Sequence, residues 1–149
     1  IIDQKIHIFQ NTKGACSLTY KCAQYLSIKI QEKRNINIIN THLQSSHIDY
    51  YQDYRKRSMQ QISELINHSP FQNFILLGDL NLDYEYLRSN VKNQLNFFRN
   101  YKKIITYPLE KEHLDHFCYR GNDYNFSNSI FKIDIESSDH YPLLLEIKF

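Results

Sequence analysis

The run Phe74–Leu77 is wholly apolar and ends at Gly78, which predicts a short buried strand over residues 73–77. A strand with no polar face needs other elements around it. The flanking sequence supplies them. Upstream, Ile48, Tyr51, Met59, Ile62, Leu65 and Ile66 recur near helical spacing, with Arg55, Lys56, Arg57, Gln60 and Gln61 between them. This pattern predicts an amphipathic surface helix over 48–66, stopped before Pro70. Two β-type runs precede it, Tyr25–Gln31 and Asn35–Thr41, and the polar Glu32, Lys33 and Arg34 between them read as a hairpin turn. The run GACSLTY at 14–20 is expected to add a third strand. Downstream, Leu87, Val91, Leu95 and Phe98 predict a second helix over 85–98, followed by strands at 115–119, 130–135 and 143–149. Strands and helices in this order imply an α/β (α+β) chain built on mixed sheets covered by helices.

The 149 residues suffice for one domain with a real core, since folding at this length removes roughly two thirds of the unfolded surface from water. Three glycines and three prolines leave no linker, so residues 1–149 read as one unit. A formal charge of +2 creates no overall field that argues for nucleic acid or anionic lipid. The three cysteines have neither CxxC nor zinc spacing and are expected to be reduced. No apolar run approaches a membrane span and no signal-peptide pattern opens the chain, so a soluble protein is expected. Residue 1 is Ile, and residues 5–9 already read as ordered structure. From this we expect the chain to start inside a larger protein.

Polar candidates gather at the ends of the predicted strands, where side chains converge above a sheet. They are Thr41 and His42, the segment Gly78–Asn81, Asp115 and His116, and Ser138, Asp139 and His140. Taken singly, each has an ordinary explanation as a turn, a helix cap or a loop hydrogen bond. Together they supply oxygen and nitrogen donors suited to a hard cation, and imidazoles able to move protons. GxSxG and P-loop patterns are absent. The chemistry this set fits is metal-assisted hydrolysis of a phosphate ester.

The segments IINTHLQ, ILLGDLN, LDHF and SSDHYPL stand in the order and approximate spacing of the endonuclease/exonuclease/phosphatase superfamily, and from about Lys13 onward the chain resembles the C-terminal part of that domain. The resemblance implies a deoxyribonuclease I-like fold, here the C-terminal portion of a four-layer α/β/β/α sandwich with mixed, mainly antiparallel sheets. It also implies roles. His42 would contact the scissile phosphate and act as general acid. Asp79 and Asn81 would hold the attacking water, the phosphate and, in some members, a second metal. Asp139 would lie at the metal site beside His140, which would be general base or phosphate ligand, and Asp115 would orient His140. The implied catalytic set is His42, Asp79, Asn81, Asp115 and His140, the metal set Asp79, Asn81, Asp139 and His140, and the substrate-binding set His42 and Asn81. A carboxylate on one imidazole nitrogen fixes the tautomer and raises the basicity of the other, which agrees with the Asp115–His140 assignment.

Finer features lean toward the sphingomyelinase-like branch: THLQSS, with Gln44, resembles its THxQ signature, Arg57 and Gln60 its RxxQ helix, and GDLNLDYEYL its GDLN segment. The expected function is therefore a Mg2+-dependent phosphodiester hydrolase of sphingomyelin phosphodiesterase type, acting by water attack on phosphorus. A nuclease of the same superfamily and a truncated, non-catalytic remnant are the alternatives. The expected partner is a phospholipid head group before a nucleic acid, with peripheral membrane contact, no transmembrane segment and a monomeric state. One departure stands out. The superfamily's principal metal-binding Glu, and an Asn before it, come from an N-terminal half with no counterpart here, and Glu32 in the hairpin turn does not match it. The isolated chain is expected to be inactive or nearly so.

Overall fold

The computed structural model describes residues 1–12, 16, 18–32, 34–45, 51–97, 105–121 and 138–147. Strands β1 (Asp3–Ile8), β2 (Cys22–Gln31) and β3 (Arg34–His42) are followed by helix α1 (Tyr51–His68) and strand β4 (Phe74–Asp79). Helix α2 (Tyr84–Val91) and strands β5 (Asn96–Phe97) and β6 (Asp115–Arg120) complete the order. The strands form one mixed six-stranded sheet, β1-β2-β3-β4-β6-β5. β3 and β4 pair in parallel and every other pair is antiparallel.

Parallel neighbours cannot be joined by a tight turn, and α1 fills the crossover between β3 and β4. Residues in register on adjacent strands share a face. The row Tyr25, Ile39, Leu76 and Cys118 belongs to the main core, together with Ile62, Leu65 and Ile66 of α1 and Leu87 and Val91 of α2. Both helices therefore cover this one face. Ile62, Leu65 and Leu87 are fully buried, and each such side chain contributes about 1.5–3 kcal/mol relative to exposure. The helices are also tied to each other. Asp83 caps α2 by accepting from the Tyr86 amide at 2.9 Å, and Arg55 of α1 reaches Asp83 at 2.9 Å while lying over the Tyr86 ring.

The hairpin, the crossover helix, the buried strand and the 115–119 strand form where the sequence predicts them, within three residues at each described end. Three expectations fail. The second helix stops at Val91 instead of continuing to 98, because the Val91 carbonyl accepts from Gln94 and Leu95 and turns the chain. Asn96 and Phe97 then pair with β6 as an edge strand. Leu95 is buried by the turn, so the i+4 spacing of Leu87, Val91 and Leu95 reflects a shared core and not a continuous helix. Of the 14–20 run, Cys16 and residues 18–20 form tight turns, and the added strand is β1. Residues 143–146 are not a strand; Leu143 and Leu145 instead pack beside Leu77 and Phe117 on the sheet face away from the helices. Ile48, Phe98 and the predicted 130–135 strand lie outside the described residues.

Gly78 is the residue the parallel pairing most depends on. It lies opposite Thr41 with φ +128, and a methyl group there would lie 1.9 Å from the Thr41 carbonyl oxygen. Gly78→Ala is expected to destabilise the fold by about 3 kcal/mol or more, from strain and clash together, as a lower urea midpoint.

Candidate active site

The register of three strands builds the site. His42 ends β3, Asp79 ends β4 and Asp115 begins β6, and His42 pairs with Asp79, which pairs with Asp115. The three side chains therefore form one row on the face away from the helices. Backbone bonds fix the strand exits: the Leu43 amide donates to Asp79 O and the Leu80 amide to Leu114 O, each at 2.9 Å. α1 reinforces the first exit, because Gln61 accepts from the Gln44 amide at 3.0 Å and Ser58 donates to the Gln44 carbonyl at 3.0 Å.

Asp79 accepts from the Asn81 amide through Oδ1 at 2.9 Å and presents Oδ2 to His42 Nε2 at 3.4 Å. Asn81 adopts φ 51, a left-handed conformation that Asn tolerates better than most residues, and its side-chain amide donates to Leu43 O at 3.1 Å. His140 enters from the C-terminal segment, where its amide donates to Ser138 Oγ at 3.1 Å. Its Nδ1 lies 2.6 Å from Asp115 Oδ2, and the Tyr107 ring packs beside it at 5.0 Å between centroids. With Nδ1–H held by the carboxylate, Nε2 is the nitrogen left to exchange a proton.

His42, Asp79, Asn81, Asp115, Asp139 and His140 all line one cavity of about 350 Å³. The structure brings these six sequence-predicted residues to one place. Sequence reasoning missed Lys21, Tyr107, Glu110 and Glu112, which line the same cavity. Lys21 stands just before β2, and the other three lie in the irregular segment ahead of β6, so no periodicity marked them. His116 does not join the site. It points to the helix-covered face, fully buried, with Nε2 donating to Leu82 O at 2.7 Å, because successive strand residues alternate sides. Arg57 and Gln60 also stay out: Arg57 is buried with a 3.5 Å contact to Asp53, and Gln60 accepts from Asn11. Gln44 is buried and held by α1 instead of facing the cavity.

The crowded charges shift one another. Burial and then the Asp115 charge push Asp79 up to about 6, against the opposing pull of the Asn81 amide, His140 and Lys21. His42 sits at the cavity rim with more than half its side chain exposed, yet partial loss of water and the charges of Lys21 and His140 lower it to about 4. Burial opposes a charged His140, but the Asp115 hydrogen bond and the charges of Asp115, Asp79 and Asp139 outweigh it and raise the imidazole above its ordinary value. Among the described residues no three His, Cys, Asp or Glu side chains form a group that could hold a metal ion. The expected set of Asp79, Asn81, Asp139 and His140 lines the cavity without forming such a group.

No protein-family model matches the sequence, and no curated protein matches it. Solved structures do match in fold. SmcL aligns with a TM-score of 0.72 and 21% identity, over 95% of this chain and 64% of that one. Sphingomyelinase C from Streptomyces griseocarneus aligns at 0.64 and 17%, over 95% and 63%. The chain carries part of a deoxyribonuclease I-like fold. TDP2 from D. rerio, in complex with a single-strand DNA product, shares that fold at a TM-score of 0.71 and 11% identity, over 99% of this chain and 68% of that one. The chain thus spans slightly less than two thirds of SmcL and of that sphingomyelinase C, and matches the partial deoxyribonuclease I-like fold expected from its motifs.

Asp79 gives a stability test. An acid whose folded pKa is raised contributes fully to folding below its ordinary value near 3.8, and that contribution is lost as pH climbs through about 6. Asp79→Asn stays neutral and still accepts from the Asn81 amide. It is expected to exceed the parent chain in stability by about 1–3 kcal/mol at pH 7 and to match it below pH 4, as read by urea unfolding at both values.

Proposed function

We propose that this chain contributes the histidine–carboxylate part of a phosphodiesterase site that hydrolyses a phospholipid head-group ester of the sphingomyelin type. The observation that carries the reading is the 2.6 Å Asp115–His140 pair standing beside the His42–Asp79–Asp115 row in one cavity. In its neutral form His140 Nε2 takes a proton from water, and the water oxygen forms the new bond to phosphorus. Asp115 stabilises the imidazolium that results. The bond from phosphorus to the leaving oxygen breaks, and that oxygen needs a proton. His42 supplies it once the bound phosphate outweighs the burial and the Lys21 and His140 charges that hold the imidazole neutral in the free chain.

Charge favours a head group over a nucleic acid. Glu110, Glu112 and Asp139 line the cavity, and Lys21 is the one Lys or Arg among its described lining residues. Such a wall repels the phosphates flanking a scissile bond in a polynucleotide and suits a zwitterionic ester. The resemblance in fold to TDP2 keeps a nuclease as the second reading. Staphylococcus aureus beta toxin, another fold neighbour, has been solved with bound magnesium ions. A cation requirement in this protein would draw further oxygen ligands from outside the described residues. Among the described residues no helix is long and apolar enough to cross a membrane.

The test joins this chain to the N-terminal half of the domain and measures phosphocholine release from sphingomyelin vesicles and nicking of plasmid DNA, each with Mg2+ and with chelator. Phosphocholine release without nicking is expected; nicking alone establishes the nuclease instead, and no activity on either leaves the remnant reading. His140→Ala and Asp79→Ala are expected to lower the rate at least 100-fold. Because His140 must be neutral, activity is expected to rise with pH through its raised pKa. Asp115→Asn removes the Asp115 charge and its charged hydrogen bond, leaving the Asp79 and Asp139 charges against burial, so the midpoint of that rise should move to lower pH while kcat falls.

A further inference from the structure

The Asp115–His140 pair joins two segments 25 residues apart, and of the two partners only Asp115 lies in a paired strand, at its end opposite Asp79. Asp115 is the first residue of β6, and residues 141–146 of the other segment belong to no strand or helix. Something must fix both. Thr106 touches both. It is fully buried, and its Oγ1 accepts from the Leu114 amide at 3.0 Å and the Asp115 amide at 3.1 Å. Its backbone carbonyl accepts from the Tyr141 amide at 2.8 Å, one residue beyond His140. Its own amide donates to Glu112 O at 3.0 Å, closing the short turn that presents Tyr107 to the His140 ring.

We propose that Thr106 is the positioning residue of the Asp115–His140 pair: its hydroxyl oxygen aims the start of β6, and its carbonyl anchors the segment that carries His140. A hydroxyl oxygen has two lone pairs, and both are used on backbone amides here. Valine keeps the shape of threonine and offers neither acceptor. The Leu114 and Asp115 amides would then have to turn toward other partners, and the Asp115 carboxylate would turn with them. The Tyr141 anchor would survive, because it is made by the backbone. Serine keeps the hydroxyl acceptor and should keep both amide bonds.

The test compares Thr106→Val, Thr106→Ala and Thr106→Ser in the 149-residue chain. The first readout is the low-field proton resonance of His140 Nδ1–H, which reports the hydrogen bond to Asp115 and requires no catalysis. We expect the resonance to be retained in Thr106→Ser and lost by exchange in Thr106→Val and Thr106→Ala. The alanine variant, too small to clash, keeps the comparison standing if valine prevents folding. The second readout rests on the phosphodiesterase reading and is taken with this chain joined to the N-terminal half of the domain: kcat falling about 100-fold in the valine and alanine variants, as misplacement of a reacting group by about 1 Å does, with KM little changed and serine near the parent value. An intact resonance in folded Thr106→Val or Thr106→Ala overturns the proposal, and so does its loss in Thr106→Ser. If the resonance responds as expected while neither sphingomyelin nor DNA is cleaved, the positioning role stands and the phosphodiesterase reading falls.

Discussion

The parallel pairing of β3 with β4 is the constraint on which the rest of the molecule depends. It brings two strand ends level with each other, so that His42 and Asp79 stand side by side, and it requires a crossover long enough to return the chain. α1 meets that requirement and buries its apolar stripe on the sheet in doing so. It then serves a second purpose through Gln61 and Ser58, which hold the backbone where β3 exits. Close approach at Gly78 lets the pairing continue to the last residue before the site. Lengthening or shifting either strand by one residue would turn its polar end toward the helices, because strand side chains alternate faces.

The site concentrates opposing charges. Asp79 and Asp115 are neighbours in register, and two carboxylates so placed resist being charged together. Asp115 is relieved by His140, which in turn becomes more basic. Asp79 is relieved in part by the Asn81 amide and by Lys21. The carboxylates raise His140, while burial and then the Lys21 and His140 charges lower His42, so two imidazoles in one cavity are driven apart. Groups so separated can take opposite parts in proton transfer, which is the arrangement hydrolysis of a phosphate ester needs. The fold supports such chemistry without specifying it, since deoxyribonuclease I-like neighbours include sphingomyelinase C and TDP2.

Much of this was legible in the sequence because it is local. The apolar run at 74–77, the spacing of Ile62, Leu65 and Ile66, and the polar break at Glu32–Arg34 each encode an element within a few residues of themselves. The six polar residues were legible as well, because short motifs preserve residue type and order. The failures were of another kind. Leu95 shares helical spacing with Leu87 and Val91 but reaches the same core by a turn. Leu143 and Leu145 look like a strand and instead fill space beside Phe117. His116 sits next to Asp115 in the chain and on the opposite side of the sheet. In each case the sequence shows that a residue is buried or polar and leaves open what it meets.

The sequence by itself determined the α/β class, the main strands and helices, and the residue types that would stand at the strand ends. Periodicity and turn chemistry act over a few residues, and a single chain records them directly. The tertiary structure decided which of those residues are partners. It placed Asp115 against His140, turned His116 into the core, brought Lys21, Tyr107, Glu110 and Glu112 into the cavity, and set Thr106 between two segments. Hydrogen bonding, loss of water and charge repulsion depend on distances across the sheet. Those distances exist once the strands have paired.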